Sequence, residues 1–382
     1  MRIAIVQPTF NSTTIGWIQG LEELGHTVIA ILPKESRGDP VGGIVGILAI
    51  SEDNIAVVSD LRWTVRAAER VSGMLGLSKF WRRVAVPGPL RARRALRELE
   101  IDLLLVKESG YLRGFVFSIV AATLRIRRAQ WLGRFPAERS RSSRLLTALG
   151  VLPRAVFSSN HPTPGGIHTD DPQSMMIIPY GAPRWPIERA GADVAGPLRI
   201  LTIASFKNER KRPWWTLEAA HQAGLFDPGS EIRFTFAGAG SESSDGYLRV
   251  LELADEFGVR DRVDLRVRVP YAEMHEVLAG HHLMVLPCHA EPFGMSVVEA
   301  LALGIPVLLG SDAGSVGCVV PGVNGAVFRA DDRDSLAAAL AELVKDRDAL
   351  ARMGDAAARM SAERLGTLPV ARRLEAFLGA AR

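Results

Sequence analysis

Short apolar runs recur along the chain, separated by longer stretches in which apolar and polar residues alternate with helical spacing. In the first half the runs are Ile3–Val6, Thr27–Leu32, Leu103–Val106 and Ala155–Phe157. In the second they are Leu198–Ile203, Ile232–Ala237, Val263–Leu265, Leu283–Leu286 and Pro306–Leu309. Runs this short and this apolar predict strands covered on both faces, as in parallel sheets. Between the first two lies the amphipathic stretch Ile15–Gly25, and Arg212–Ala223 and Asp245–Phe257 read as helices between strands of the second half. Strand alternating with helix predicts βαβ units, hence an α/β fold with doubly wound parallel sheets.

The two series are parted by Pro179-Tyr-Gly-Ala-Pro183 and Gly191–Gly196, a Pro/Gly-rich stretch that reads as a linker. At 382 residues the chain is long enough for two domains with a core each. We expect an N-terminal domain over 1–187 and a C-terminal one over 188–365. After Asp332 the chain turns alanine-rich and helical through Arg382, with Gly354 and Gly366 as expected breaks.

The densest chemical signal is Glu291-Pro-Phe-Gly-Met-Ser-Val-Val-Glu299, placed between the strand-like run at 283–286 and a helix-like run over 296–303. Pro292 and Gly294 make that junction a strand-to-helix turn. Such a turn offers free backbone N–H groups at a helix N-terminus, where the dipole favours an anion such as a diphosphate. Glu291 falls outside the helix and Glu299 about one and a half turns inside it, so the two carboxylates serve different partners, a sugar ring and a ribose. Both are expected to be ionised at neutral pH and to accept hydrogen bonds from paired hydroxyls. A second basic loop, Lys207-Asn-Glu-Arg210-Lys211-Arg212, follows the run at 198–203 and offers cations for phosphate. His289, close to Glu291, reads either as a sugar-approaching group or as a loop imidazole satisfied by backbone.

Charge alters this picture in the first half. Residues 1–190 carry 25 lysines and arginines against 16 acids, and 79–144 carry 16 against 5. That excess suits an anionic acceptor or a lipid headgroup surface as well as plain solvated helix faces. The segment Ser78-Lys-Phe-Trp-Arg-Arg-Val84 mixes aromatic and basic residues and reads as a membrane-interface contact or as a core helix with a basic outer face. Two cysteines, Cys288 and Cys318, are too few for a disulfide framework or a zinc site and fit a reducing cytoplasm. The N-terminus lacks the features of a signal peptide, and no apolar run reaches the roughly eighteen residues of a membrane span. No recognition motif with interleaved aromatics supports nucleic acid as a partner.

Glu-Pro-Phe-Gly followed by Glu299-Ala-Leu-Ala-Leu-Gly304-Ile-Pro306-Val resembles the donor-site signature of the retaining family 4 glycosyltransferases. The resemblance implies the GT-B fold: two Rossmann-like domains with parallel sheets facing across a cleft, the last helix, 366–382, returning to the N-terminal domain. It implies a glycosyltransferase of carbohydrate biosynthesis, which with the cysteine usage and the Ser78–Val84 segment is expected in the cytoplasm or at the membrane periphery. Such an enzyme moves a hexose-type sugar from a nucleotide diphosphate sugar to an acceptor hydroxyl with retention, without a metal or other cofactor. The acceptor is a small molecule or a lipid-linked or phosphorylated glycan.

Carried over residue by residue, the resemblance makes Lys211 and Glu291 catalytic. It assigns the donor to Glu299, to Phe293, Gly294, Met295 and Ser296 at the helix start, to Gly238 in Ala237-Gly-Ala-Gly240, and to Arg268, while Lys207 or Arg210 in the basic loop offers charge from another direction. Ser205 stands where the family places an arginine, and Val267 stands at the usual glycine beside the nucleobase. In the first domain Gly25-His26-Thr-Val28 and Pro179-Tyr-Gly181 match the family. The glycine pair of the first loop is replaced by Thr13, Thr14 and Gly16, and Gly133-Arg134 stands where many members have a histidine. These departures leave a second reading: a degenerate GT-B protein that binds a nucleotide sugar or a partner without catalysing transfer.

Overall fold

The computed structural model describes residues 1–7, 12–33, 52–61, 86–107, 112–132, 147–148, 153, 155–170, 176–185, 196–227 and 229–380. Arg134, the Ser78–Val84 segment and residues 8–11 of the first loop lie outside the described residues. The chain divides into two compact units. One gathers Met1–Ser159, Met175–Arg184 and Thr367–Arg382, and the other Asn160–Ser174 and Trp185–Gly366. Residues 160–174, upstream of the expected linker, thus cluster with the second unit.

In the first unit the strands are β1 (Arg2–Val6), β2 (Thr27–Leu32), β3 (Ile55–Val57), β4 (Leu103–Lys107), β5 (Arg127–Leu132) and β6 (Ala155–Ser158). They form a parallel sheet in the order β3-β2-β1-β4-β5-β6. The central strands are buried along their length because helices cover both faces, which is why their sequences are continuously apolar. Helix α1 (Ser12–Glu23) follows β1, α2 (Pro89–Glu98) precedes β4, and α3 (Leu112–Thr123) follows it.

The second unit repeats the plan with β7 (Leu198–Ile203), β8 (Ile232–Gly238), β9 (Val263–Val267), β10 (Leu283–Leu286), β11 (Val307–Gly310) and β12 (Gly325–Phe328), ordered β12-β11-β10-β7-β8-β9. Its helices are α4 (Trp215–Gln222), α5 (Asp245–Glu256), α6 (Met274–Ala279), α7 (Met295–Ala302), α8 (Arg333–Val344) and α9 (Arg347–Arg364). Phe234, Phe236, Leu217, Leu253 and Leu340 lie in one core between sheet and helices. Both sheets therefore have the winding of dinucleotide-binding folds, reversing beside β1 and beside β7.

The alanine-rich tail breaks differently from expectation. Gly354 is buried within α9 and does not interrupt it. The break comes at Asp346, whose carboxylate accepts from Ala349 N at 2.8 Å and caps a new helix. A second break at Gly366 precedes α10 (Thr367–Ala380), which packs on α1 within the first unit. A Cβ on Gly20 would stand 2.1 Å from the Thr367 carbonyl oxygen, so glycine is what lets the two helices meet.

Candidate functional site

Open parallel sheets take ligands outside the carboxyl ends of their strands, at the point where the winding reverses. In the second unit that point lies between β7 and β10, which pair directly. The loops leaving these two strands carry the basic run and the glutamate run. They are tied together: His289 N donates to Arg210 O at 2.9 Å, and the Arg210 guanidinium donates to Ala290 O at 3.0 Å. Lys211 Nζ and Glu291 Oε2 form an ion pair between them, both side chains mostly covered.

Local chemistry explains why Lys211 reaches that position. Asn208 accepts from Arg210 N at 3.1 Å and caps a one-turn 3-10 helix over Glu209–Lys211. Arg212 then takes a left-handed conformation at φ +40°, turning the chain into Pro213 and α4. Its guanidinium pairs with Asp331 and lies 4.4 Å from the Trp215 ring centroid, so Arg212 braces the loop from the far side.

Gly294 makes the other half of the site. At φ +87° and ψ +75° it turns the chain from the loop into α7, and Phe293 beside it is buried. The opening amides of α7, including those of Met295 and Ser296, have no acceptor inside the helix and carry its positive dipole end. Behind them, Gly314 N donates to Glu291 O at 2.9 Å, and Ser315 N to Phe293 O at 3.1 Å. Asn160 Nδ2 donates to Pro292 O at 2.6 Å. A Cβ on Gly314 would stand 2.0 Å from that same Pro292 oxygen, so the turn is held by close backbone packing.

Glu299 differs from expectation. It is 3% exposed, and burial pushes its carboxyl up to about 7, opposed by a hydrogen bond from the Tyr271 hydroxyl to Oε1 at 2.6 Å. Burial thus favours the neutral form of Glu299, whereas both glutamates were expected to be ionised. His289 is partly exposed, and its Nδ1 lies 2.9 Å from Asp312 Oδ2, an acidic neighbour rather than a backbone one. Burial pushes the Cys288 thiol up to about 12, so it is no nucleophile.

The remaining sequence candidates scatter. A Cβ on Gly238 would stand 1.8 Å from Ala204 O, so this glycine permits contact between the β7 and β8 loops. Arg268, at φ +57°, is exposed and its N–H donates to Gly238 O at 3.0 Å. Lys207 is exposed and Ser205 half-buried. Thr13, Thr14 and Gly16 fall in the first unit. Thr14 is fully buried with its hydroxyl donating to Gln7, and Gly16 packs on Gly181, where a Cβ would meet Gly181 O at 2.2 Å. Gly16 is thus a packing glycine rather than a flexible loop position. Tyr271, Asp312 and Asn160 were not singled out by sequence, because each acts on a segment distant along the chain: Tyr271 on Glu299 inside α7, Asp312 on Ala290 N and Asn160 on Pro292 O.

Residues 188–360 match the family described as glycosyl transferases group 1. This stretch, most of the second unit, is similar to the group 1 glycosyltransferases. Proteins similar to this chain include the D-inositol 3-phosphate glycosyltransferase of Thermobispora bispora, 34% identical over 179 residues covering 46% of this chain and 42% of that protein. The enzyme of the same name from Nocardia farcinica is 34% identical over 147 residues, covering 38% of this chain and 32% of that protein. The matches thus span less than half the length of either relative. Anabaena Alr3699/HepE, solved in complex with UDP, is similar in fold over 100% of both chains at TM-score 0.67 and 14% identity. Two Rossmann-like units with parallel six-stranded sheets are the GT-B plan. No helix among the described residues is long and apolar enough to cross a membrane. Among the same residues, no cluster of three or more His, Cys, Asp or Glu is placed to hold a metal ion.

Proposed function

We propose that the chain is a retaining glycosyltransferase that moves a hexose-type sugar from a nucleotide diphosphate sugar to an acceptor hydroxyl, without a metal. The observation that carries this reading is the Lys211–Glu291 pair, which joins two strand-end loops beside the opening amides of α7. In the reaction the bond from the anomeric carbon to the donor phosphate breaks, and a bond to the acceptor oxygen forms on the same face. The acceptor proton goes to the departing phosphate. Lys211 and the amides of Phe293 to Ser296 stabilise the charge growing on that phosphate where it develops. Arg210 lends charge beside Ser205, which replaces the family arginine. Glu291 holds sugar hydroxyls and Glu299 the ribose.

The basic excess over residues 1–190 supports an anionic acceptor. The name shared by the relatives makes a phosphorylated cyclitol the first to try, with lipid-linked and phosphorylated glycans next. The same charge supports action at a membrane periphery, and the use of only two cysteines fits the cytoplasm. Ser205 and the altered first loop favour a second reading, a protein that binds the donor without transfer.

A thermal-shift panel of UDP, GDP and ADP, each with its hexose conjugates, followed by a donor-hydrolysis assay in EDTA, tests the reading. Stabilisation by one nucleotide family with slow release of its diphosphate is expected. The freed sugar should keep the donor's anomeric configuration in proton NMR recorded before mutarotation. Binding without release would select the second reading, and no stabilisation by any nucleotide would refute both.

A further inference from the structure

The one-turn helix Tyr271–Glu273 runs into α6 and sets Tyr271 against α7, where its hydroxyl donates to Glu299 Oε1 at 2.6 Å. Trp185 wedges the phenol in place. Its ring centroid lies 5.2 Å from that of Tyr271 and 5.0 Å from that of His275, on which it stacks within 14°. His275 is one helical turn beyond Tyr271 and buried. The phenol is therefore gripped by its ring, with its polar end directed at the buried carboxylate.

This arrangement matters if Glu299 holds the ribose, the reading on which the inference rests. A carboxylate reads a vicinal diol by offering one oxygen to each hydroxyl. Here Oε1 already accepts a short, partly buried hydrogen bond from the Tyr271 hydroxyl. A phenol oxygen that donates its single proton keeps acceptor lone pairs of its own. We propose that Tyr271 and Glu299 read the ribose diol jointly: one hydroxyl donates to Glu299 Oε2 and the other to Tyr271 Oη, whose own O–H keeps donating to Oε1. Tyr271 thereby becomes a specificity-determining residue of the donor site, and the two ribose hydroxyls meet unlike partners, one a carboxylate and the other a neutral phenol.

Unlike partners predict unlike penalties. A hydrogen bond to a charged group is worth more than one to a neutral group, so removing one hydroxyl should cost about tenfold or more in Kd and removing the other only a few-fold. Isothermal titration checks this with whichever of UDP, GDP or ADP binds the full chain most tightly, then with its 2′-deoxy and 3′-deoxy forms. In Tyr271→Phe the smaller penalty should collapse to near unity while the larger stays within about twofold. Equal penalties in the wild type, or two penalties unchanged in Tyr271→Phe, would overturn the joint readout in favour of a carboxylate gripping both hydroxyls. The wild-type comparison stands even if the variant folds poorly. Failure of all three parent nucleotides to bind is a separate result, which removes the donor-site reading and this inference with it.

Discussion

Acidifying the solution from about pH 8 to about pH 5.5 is expected to weaken nucleoside diphosphate binding through Glu299. In the unliganded protein burial holds this carboxyl at about 7, so the proton is already half bound at neutral pH. Ribose hydroxyls that donate to the group favour its ionised form, and binding must expel the proton. At a pH one and a half units below the free value, about one molecule in thirty is ready to bind, a loss of about thirtyfold or ~2 kcal/mol. The nucleotide's own second phosphate ionisation, near 6, falls in the same window. Glu299→Gln separates the two, since it removes the carboxyl and leaves the phosphate. Titration calorimetry in phosphate and in Tris at neutral pH should show the wild type releasing about half a proton more than the variant. Identical proton release and identical pH profiles for the two proteins would refute the assignment of Glu299 to the ribose.

The same burial has an effect on folding of the opposite sign from that of a salt-bridged acid. The Glu299 carboxyl is held above its ordinary value of 4.5, so the folded state binds more protons than the unfolded one between about 4.5 and 7. Stability falls as pH rises through that window, by about 3 kcal/mol in total, and is level above it. Unliganded Glu299→Gln lacks this loss. Its thermal midpoint, measured by circular dichroism, should gain on that of the wild type as the pH is raised from about 4.5 to about 7. Parallel melting curves for the two proteins across that range would mean that the carboxyl is not desolvated as the geometry implies.

Three further substitutions probe separate parts of the argument. Lys211→Ala should slow donor turnover by about a hundredfold to a thousandfold with a much smaller change in nucleotide Kd, because its charge matters most as the phosphate departs. Release of nucleotide diphosphate measures this, and an unchanged kcat would sink the role. Gly294→Ala puts a side chain on a left-handed residue, with its Cβ 3.2 Å from Leu286 Cδ2. A loss of about 1–3 kcal/mol in denaturant unfolding is expected, with weaker nucleotide binding as the α7 amides re-aim, and an unaltered unfolding curve would contradict it. Gly20→Ala brings a Cβ to 2.1 Å from the Thr367 carbonyl, a backbone atom with no rotamer to yield. The packing of α10 on α1 should weaken by about 1–3 kcal/mol, read as a drop in Tm, and an unshifted Tm would mean that the two helices do not meet this closely.

What could be read ahead of the structure follows from where the information resides. The central strands were legible because burial on both faces leaves a run of apolar side chains, as at Leu283–Leu286 and Leu198–Ile203. The edge strands β3 and β12 were not foreseen: Ile55–Val57 is half-exposed and Gly325 opens the other, so neither carries that signature. Gly354 misled for a related reason. Glycine propensity argues for a break, but a buried helix position can favour the residue that takes least room, and Asp346 supplied the actual break through its cap. Lys211 and Glu291 were legible as chemical types beside a strand-to-helix turn. Their pairing was not, because it joins two loops 80 residues apart with no periodicity to connect them. Glu299 marks the limit most clearly. Its position one and a half turns into α7 follows from spacing alone, yet its charge depends on how completely the unit closes over it and on a tyrosine 28 residues away. A sequence names the ionisable atom, whereas the protonation state belongs to the surroundings that only folding assembles.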